Sequence, residues 1–178
     1  MRINQKVFIA RVGEETRLER QRRTVGIRKV ADSVRNIPDF PKKGILFRDI
    51  STLLQDKNAF RKSIDMLADK FKAVKVDYIA AVEARGFVFG GALADRLNTG
   101  FIPVRKKGKL PWKTKSITYS LEYGMDTLEI HEDAFKPGSK VLIVDDLLAT
   151  GGTAKAVTDL VKQLQGKVAG ITFLIELT

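Results

Sequence analysis

Residues 140–144 read Lys-Val-Leu-Ile-Val, a continuous aliphatic run followed at once by two aspartates. Such a run, with no polar alternation, fits a strand covered on both faces of its sheet. The chain then passes through Asp145, Asp146, Leu147, Leu148, Ala149, Thr150, Gly151, Gly152 and Thr153. Val157, Leu160, Val161 and Leu164 follow at the 3.6-residue spacing of an amphipathic helix. Residues 77–82 predict a second short buried strand, followed by Glu83-Ala84-Arg85-Gly86 and a helix over 87–97. Residues 101–104 and 168–177 predict two more strands. Strands alternating with helices argue for an α/β fold: a doubly wound, mostly parallel sheet with helices on both faces.

Other segments fit around this frame. Residues 36–49 contain Pro38, Pro41 and Gly44 and predict a structured loop. Asn58 predicts the cap of a helix striped by Phe60, Ile64, Leu67 and Phe71. Residues 105–115 predict a basic loop, and 117–123 with 127–131 a β-hairpin or flexible arm around Gly124.

Composition excludes several classes of function. A chain of 178 residues, 44% hydrophobic and 30% charged, suits one soluble domain. It has no apolar run of the ~18 residues a membrane span needs. Residues 1–6 lack the apolar core of a signal peptide, so a cytoplasmic location is expected. With no cysteine there can be no disulfide, thiolate nucleophile or cysteine-based metal site. A single histidine, His131, rules out a multi-histidine metal site and argues against a Ser-His-Asp hydrolase; it reads as a strand-surface residue.

The net charge of +11 is uneven: residues 1–30 carry nine basic and three acidic side chains, the remainder 23 and 18. Residues 1–30 therefore read as a basic extension, an exposed helix or disordered, before a domain over 31–178. A basic balance suits polyanions, whether nucleic acid, acidic lipid or a phosphorylated small molecule. No helix-turn-helix pattern accompanies the extension.

Residues 141–153 carry the chemistry. Glycines let a main chain approach an anion closely, and the start of a helix offers free N–H groups and a favourable dipole to a phosphate. Thr150 and Thr153 add hydroxyl donors. Asp145 and Asp146 cannot bind that phosphate, but they suit the hydroxyls or metal-bound oxygens of a sugar beside it. The unit is suited to a sugar phosphate. The nucleotide-triphosphatase spacing G-x-x-x-x-G-K-[S/T] is absent, and so is a dinucleotide G-x-G-x-x-G at this strand end.

This segment resembles the phosphoribosyl pyrophosphate signature of the type I phosphoribosyltransferases, and Leu147-Leu148 resembles its adenine-specific branch. Three further segments agree in order. Ile37-Pro38-Asp39-Phe40-Pro41 with Gly44-Ile45-Leu46-Phe47-Arg48-Asp49-Ile50 resembles the family's N-terminal hood. Glu83-Ala84-Arg85-Gly86-Phe87 resembles its pyrophosphate loop. Residues 105–111 with Tyr119-Ser120-Leu121-Glu122-Tyr123-Gly124 resemble its flexible β-arm.

The resemblance implies roles. Ala149, Thr150, Gly151, Gly152 and Thr153 would bind the 5-phosphate, while Asp145 and Asp146 face the ribose hydroxyls. Ala84 and Arg85, beside an unusual cis peptide near Glu83–Ala84, would contact pyrophosphate together with Arg105, Lys106 and Lys109. Leu46, Phe47 and Arg48 would read adenine on one side and Leu147 face it on the other. Glu122 would handle the proton at the purine, with Tyr123 helping the arm close.

The reaction implied is transfer of phosphoribose from 5-phosphoribosyl 1-pyrophosphate to adenine, giving AMP and pyrophosphate. Mg2+ would be carried by substrate oxygens with no direct protein ligand, in a homodimer engaging neither membrane nor nucleic acid. The alternatives are the same fold acting on hypoxanthine, guanine, xanthine or orotate, or a purine-sensing or phosphoribosyl pyrophosphate-sensing regulator that binds nucleic acid. Family members run past the strand matched by residues 171–177, so either an exposed sheet edge or another element covering it is expected there.

Overall fold

The computed structural model describes residues 26–121 and 124–177. Contacts divide these into two units, residues 26–66 and residues 67–177. The first opens with helix α1 (26–32), whose Val30 is 2% exposed. The division placed at residue 30 on charge therefore falls inside a helix that contributes to a core.

Residues 36–49, expected to be a loop, instead form most of an antiparallel pair, β1 (Arg35–Pro38) and β2 (Leu46–Asp49). Arg35 pairs with Asp49 and Ile37 with Phe47. The two prolines that suggested a loop lie where a ladder tolerates them: Pro38 is the last residue of its strand, and Pro41 is in the turn. Gly44 turns at φ +89°, and its N–H donates to the Asp39 carboxylate at 2.6 Å.

Helices α2 (Ser51–Gln55) and α3 (Lys57–Asp69) follow. Asp56, not Asn58, caps α3: its carboxylate accepts the N–H groups of Asn58 and Ala59 at 2.8 and 3.2 Å. The buried face of α3 is Ala59, Ser63, Ile64, Leu67 and Ala68. Phe60 is only half-buried, and Phe71 lies beyond the helix end.

The second unit holds β3 (Tyr78–Val82), α4 (Arg85–Leu97), β4 (Gly100–Lys106), β5 (Thr114–Leu121), β6 (Gly124–His131), β7 (Lys140–Leu148), α5 (Gly152–Gln163) and β8 (Lys167–Glu176). These strands make one sheet in the order β5-β6-β4-β3-β7-β8. Strands β4, β3, β7 and β8 are parallel, while β5 and β6 form an antiparallel arm joined to β4 through Arg105↔Glu129 and Lys106↔Leu128. Arg105 and Lys106 thus belong to a strand rather than to the expected loop.

Strand alternation sends Ile79 and Ala81 to one face and Ala80 and Val82 to the other. Helix α4 lies so close on the first face that a Cβ on Gly90 would stand 2.5 Å from the Ala81 Cβ. Helix α5 covers the second, where Val157, Leu160 and Val161 join Ala80, Ile102, Val104, Val141 and Ile143 in a continuous core. The doubly wound arrangement read from the sequence is the one observed. Among the described residues, no helix is long and apolar enough to cross a membrane.

Strand β7 is longer than its aliphatic run. It pairs with β3 from Val141 to Val144, then continues through Asp145 to Leu148 against β8 alone. Leu177 N–H donates to the Leu148 carbonyl at 2.9 Å, so the main chain at Leu148 points towards the β8 side. Its neighbour Leu147 turns its main-chain groups the other way, to the edge that β3 has left.

Candidate active site

Strand order reverses direction between β3 and β7, the place in an open α/β sheet where a crevice forms beyond the strand ends. A cavity of about 470 Å³ lies there. Its lining comes from the end of β3, the starts of α4 and α5, the end of β7 and the arm.

The floor is acidic. Asp146 is 4% exposed, and its Oδ2 lies 2.9 Å from Arg85 Nε, on the first residue of α4. Asp145 accepts the Asp146 N–H at 2.9 Å. Burial and then the neighbouring charge of Asp146 push the Asp145 carboxyl up from 3.8 to about 7. Burial raises Asp146 as well, against the opposing pull of the Arg85 guanidinium. Gly86 makes room for this pair, since a Cβ there would stand 2.7 Å from Asp145 Oδ1.

One wall is organised by Glu83, whose side chain is 8% exposed. Its carboxylate accepts Arg105 Nε and Nη2 at 3.1 and 2.9 Å, the Lys106 N–H at 2.7 Å and Lys109 Nζ at 3.4 Å. Burial acts to raise the Glu83 pKa, but these donors outweigh it and the group is held below the usual carboxylate range. The Lys106 main chain is thus fixed on Glu83; the residue lines the cavity, and its ammonium lies 3.2 Å from Asp126 Oδ2. The Glu83–Ala84 peptide bond is cis, as the resemblance implied.

The opposite wall is the turn from β7 into α5. Gly151 takes φ +85° at the helix cap, a conformation that favours glycine, and no side chain caps the helix. The first-turn N–H groups are therefore left to water or an anion. The arm lies across this turn: Tyr119 Oη is 3.2 Å from Thr153 Oγ1, and a Cβ on Gly152 would meet the Ser120 carbonyl oxygen at 3.3 Å.

Of the residues expected here, Ala84, Arg85, Lys106, Asp145, Asp146, Leu147, Ala149, Thr150, Gly151, Gly152 and Thr153 line this cavity together. Arg105 and Lys109 are not part of its lining and turn to Glu83. Leu46, Phe47 and Arg48 are on β2 in the other unit. There Arg48 is buried and donates to the Asn36 side-chain amide oxygen, and Phe47 meets Phe40 edge-on at 5.2 Å. Glu122 and Tyr123 lie outside the described residues, as do residues 1–25. His131 ends β6 half-buried and does not line the cavity.

Sequence reasoning missed Tyr119, Asp126 and Phe173 as lining residues, and the gathering role of Glu83. The one available signal was alternation along β5 and β6, which groups Tyr119 with Ile117 and Asp126 with Leu128.

Among the described residues, no three His, Asp or Glu side chains come together to cage a metal. Two adjacent carboxylates, one already paired with Arg85, fit a hard cation whose remaining oxygens come from water and a bound anion.

Residues 49–176 match the phosphoribosyl transferase domain. An adenine phosphoribosyltransferase of Brachyspira hyodysenteriae is 62% identical over 149 residues, which are 84% of this chain and 88% of that protein. One from Methylobacterium nodulans is 56% identical, over 82% of this chain and 81% of that protein. Among solved structures, the adenine phosphoribosyltransferase of Thermoanaerobacter pseudethanolicus superposes with a TM-score of 0.81 at 57% identity, covering 83% of this chain and 86% of its own. That of Saccharomyces cerevisiae, solved with an imino-altritol bisphosphate and adenine, gives 0.82 at 42% identity, covering 86% and 90%.

Proposed function

Because the chain belongs to the phosphoribosyl transferase family, and within it to the adenine phosphoribosyltransferases, we propose the following division of labour among its residues. The reaction moves phosphoribose from 5-phosphoribosyl 1-pyrophosphate to adenine, releasing pyrophosphate and leaving AMP. The observation that carries the assignment is the cavity itself, where an acid pair stands between an uncapped helix start and cationic groups.

The 5-phosphate sits on the turn from Ala149 to Thr153, bonded by first-turn N–H groups and the Thr150 and Thr153 hydroxyls. Asp145 and Asp146 accept the ribose hydroxyls. Arg85, the Ala84 main chain and Lys106 hold the pyrophosphate at the other end, so the sugar is fixed at both ends. Arg105 and Lys109 act one step back, through the Glu83 carboxylate that anchors the Lys106 main chain. On resemblance, adenine is assigned to Leu46, Phe47 and Arg48 of β2, and to Leu147 of β7.

In the reaction a purine nitrogen bonds to the anomeric carbon as the bond to pyrophosphate breaks. The electron pair leaves with the pyrophosphate oxygen, and positive charge develops on the sugar. The acid pair faces that charge, and Arg85 and Lys106 meet the leaving group, in this division of labour. Glu122 takes the purine proton. Mg2+, when bound with the diphosphate, supplies charge neutralisation at the leaving group. The arm excludes water that would hydrolyse the activated sugar. The working form is a homodimer in the cytoplasm.

The direct test is conversion of labelled adenine to AMP with Mg2+ and 5-phosphoribosyl 1-pyrophosphate, alongside guanine, hypoxanthine, xanthine and orotate. Turnover should be confined to adenine, abolished by Asp146→Ala and reduced by Glu122→Gln. Turnover confined to another base would overturn the roles given to β2 and Leu147. A folded protein that binds 5-phosphoribosyl 1-pyrophosphate without turnover would point to a regulator.

A further inference from the structure

Tyr119 is on β5, in the arm, while Thr153 is in the first turn of α5, 34 residues later in the chain. Their hydroxyls meet at 3.2 Å, and either can be the donor. The tyrosine ring is fixed by its surroundings: it is half-buried against the α5 side of the core, beside Ile117. The arm sits close over Gly152: a Cβ there would crowd the Ser120 carbonyl at 3.3 Å and touch the Tyr119 ring at 3.5 Å. The sequence gives this tyrosine no role, and the division of labour proposed above does not use it.

An oxyanion removes the ambiguity of the donor. A hydroxyl has one proton to give, and a phosphate oxygen only accepts. Once Thr153 donates to a phosphate at the helix start, its oxygen can take part in the Tyr119 contact only as acceptor, and the phenol must be the donor. The chain then runs from Tyr119 O–H to Thr153 O–H to phosphate, each bond polarising the next. At 3.2 Å the two oxygens stand beyond the ~2.5–3.0 Å usual for an O–H···O bond, with room to close when the acceptor at the far end of the chain is charged.

We propose that Tyr119 is a positioning residue for the 5-phosphate: its hydroxyl orients the Thr153 proton towards the ligand and ties the arm to an occupied phosphate turn. This rests on the reading that residues 149–153 hold the 5-phosphate. It predicts selectivity. Ligands that carry the 5-phosphate, including 5-phosphoribosyl 1-pyrophosphate, AMP and ribose 5-phosphate, should feel the loss of the phenol. Pyrophosphate alone and adenine should not.

Calorimetric titration of ribose 5-phosphate and of pyrophosphate into wild type, Tyr119→Phe, Thr153→Val and the double variant tests this. Tyr119→Phe removes one oxygen and no packing atom, and a thermal melt of each variant checks the fold. Ribose 5-phosphate should bind roughly fivefold to tenfold more weakly to Tyr119→Phe, as for the loss of one hydrogen bond. Pyrophosphate should change by less than about twofold, since its proposed contacts keep all their hydrogen bonds. The double variant should be no worse than Thr153→Val, because the phenol acts only through that hydroxyl. In turnover, KM for 5-phosphoribosyl 1-pyrophosphate should rise while KM for adenine holds.

If Thr153→Val weakens ribose 5-phosphate and Tyr119→Phe does not, the role given to Tyr119 is wrong and the phosphate turn stands. If neither variant weakens it, the placement of the 5-phosphate is itself wrong. Equal losses for ribose 5-phosphate and pyrophosphate in Tyr119→Phe would show a general disturbance of the arm and overturn the proposal.

Discussion

Replacing Asp145 with asparagine should stabilise the ligand-free protein above neutral pH while slowing turnover. The Asp145 carboxyl titrates at about 7 in the fold, against an ordinary 3.8, chiefly through burial and then the charge of Asp146. The folded state therefore holds this proton more tightly than the unfolded state. The stability that goes with it is complete below about pH 3.8, is lost as pH rises through about 7, and stays lost above. At about 1.36 kcal/mol per pH unit the full span is up to about 4 kcal/mol, shared with Asp146 through the field the two carboxyls have in common.

Asparagine keeps an oxygen to accept the Asp146 N–H and has no charge to bury. The stability difference between variant and parent should widen by roughly 2–3 kcal/mol between pH 5 and pH 8. For a chain of this size that is a melting-temperature gain of roughly 5–10 °C at the upper end. Thermal or urea unfolding of both ligand-free proteins across this pH range measures the difference directly, since the remaining titrations largely cancel. Parallel curves, or an asparagine variant less stable at pH 8, would refute the reasoning. In turnover the same variant should lose most of kcat/KM, because a ribose hydroxyl donor loses a charged acceptor.

Gly86→Ala places a methyl group 2.7 Å from Asp145 Oδ1, so the acid pair must shift; we expect a loss of about 1–3 kcal/mol of stability, read by urea unfolding, and a higher KM for 5-phosphoribosyl 1-pyrophosphate. Gly151→Ala forces a side chain into φ +85°, for about 1–2 kcal/mol, and should weaken ribose 5-phosphate more than pyrophosphate in a titration. Glu83→Gln removes the charge shared by Arg105 and Lys109 and should lower the melting temperature in dilute buffer. The deficit should shrink in high salt, because both cations are partly exposed.

The parallel sheet was legible because its strands are short aliphatic runs separated by helices with a clear stripe, and burial on both faces leaves that pattern little freedom. The turn from β7 into α5 was legible because glycines and threonines gather between a buried aliphatic run and an amphipathic stripe. The hairpin of residues 35–49 was missed because its prolines speak against strands in general, and only register shows that they occupy its end and its turn. The end of β7 was placed too early for a related reason: two aspartates look like the limit of a buried strand, yet one neighbouring strand suffices to continue it. Arg105 and Lys109 were grouped with Lys106 because local sequence shows charge but not the partner. Glu83, which gathers them, lies 22 and 26 residues earlier in the chain. Glu122 and Tyr123 rest on resemblance alone.

The four residues by which β7 outruns β3 bear on what inheritance can alter in this site. The edge presented at Leu147 is main chain, and no codon specifies it. Substitution there changes shape but leaves an N–H and a carbonyl in place, proline excepted. Erasing them requires a slip of the strand, and a slip of one residue would exchange the faces of Asp145 and Asp146 while turning Ile143 out of the core beneath α5. Any contact a ligand makes with that edge is therefore passed on with the fold itself. Drift in the lineage would be free to retune the side chains around it long before it could remove it.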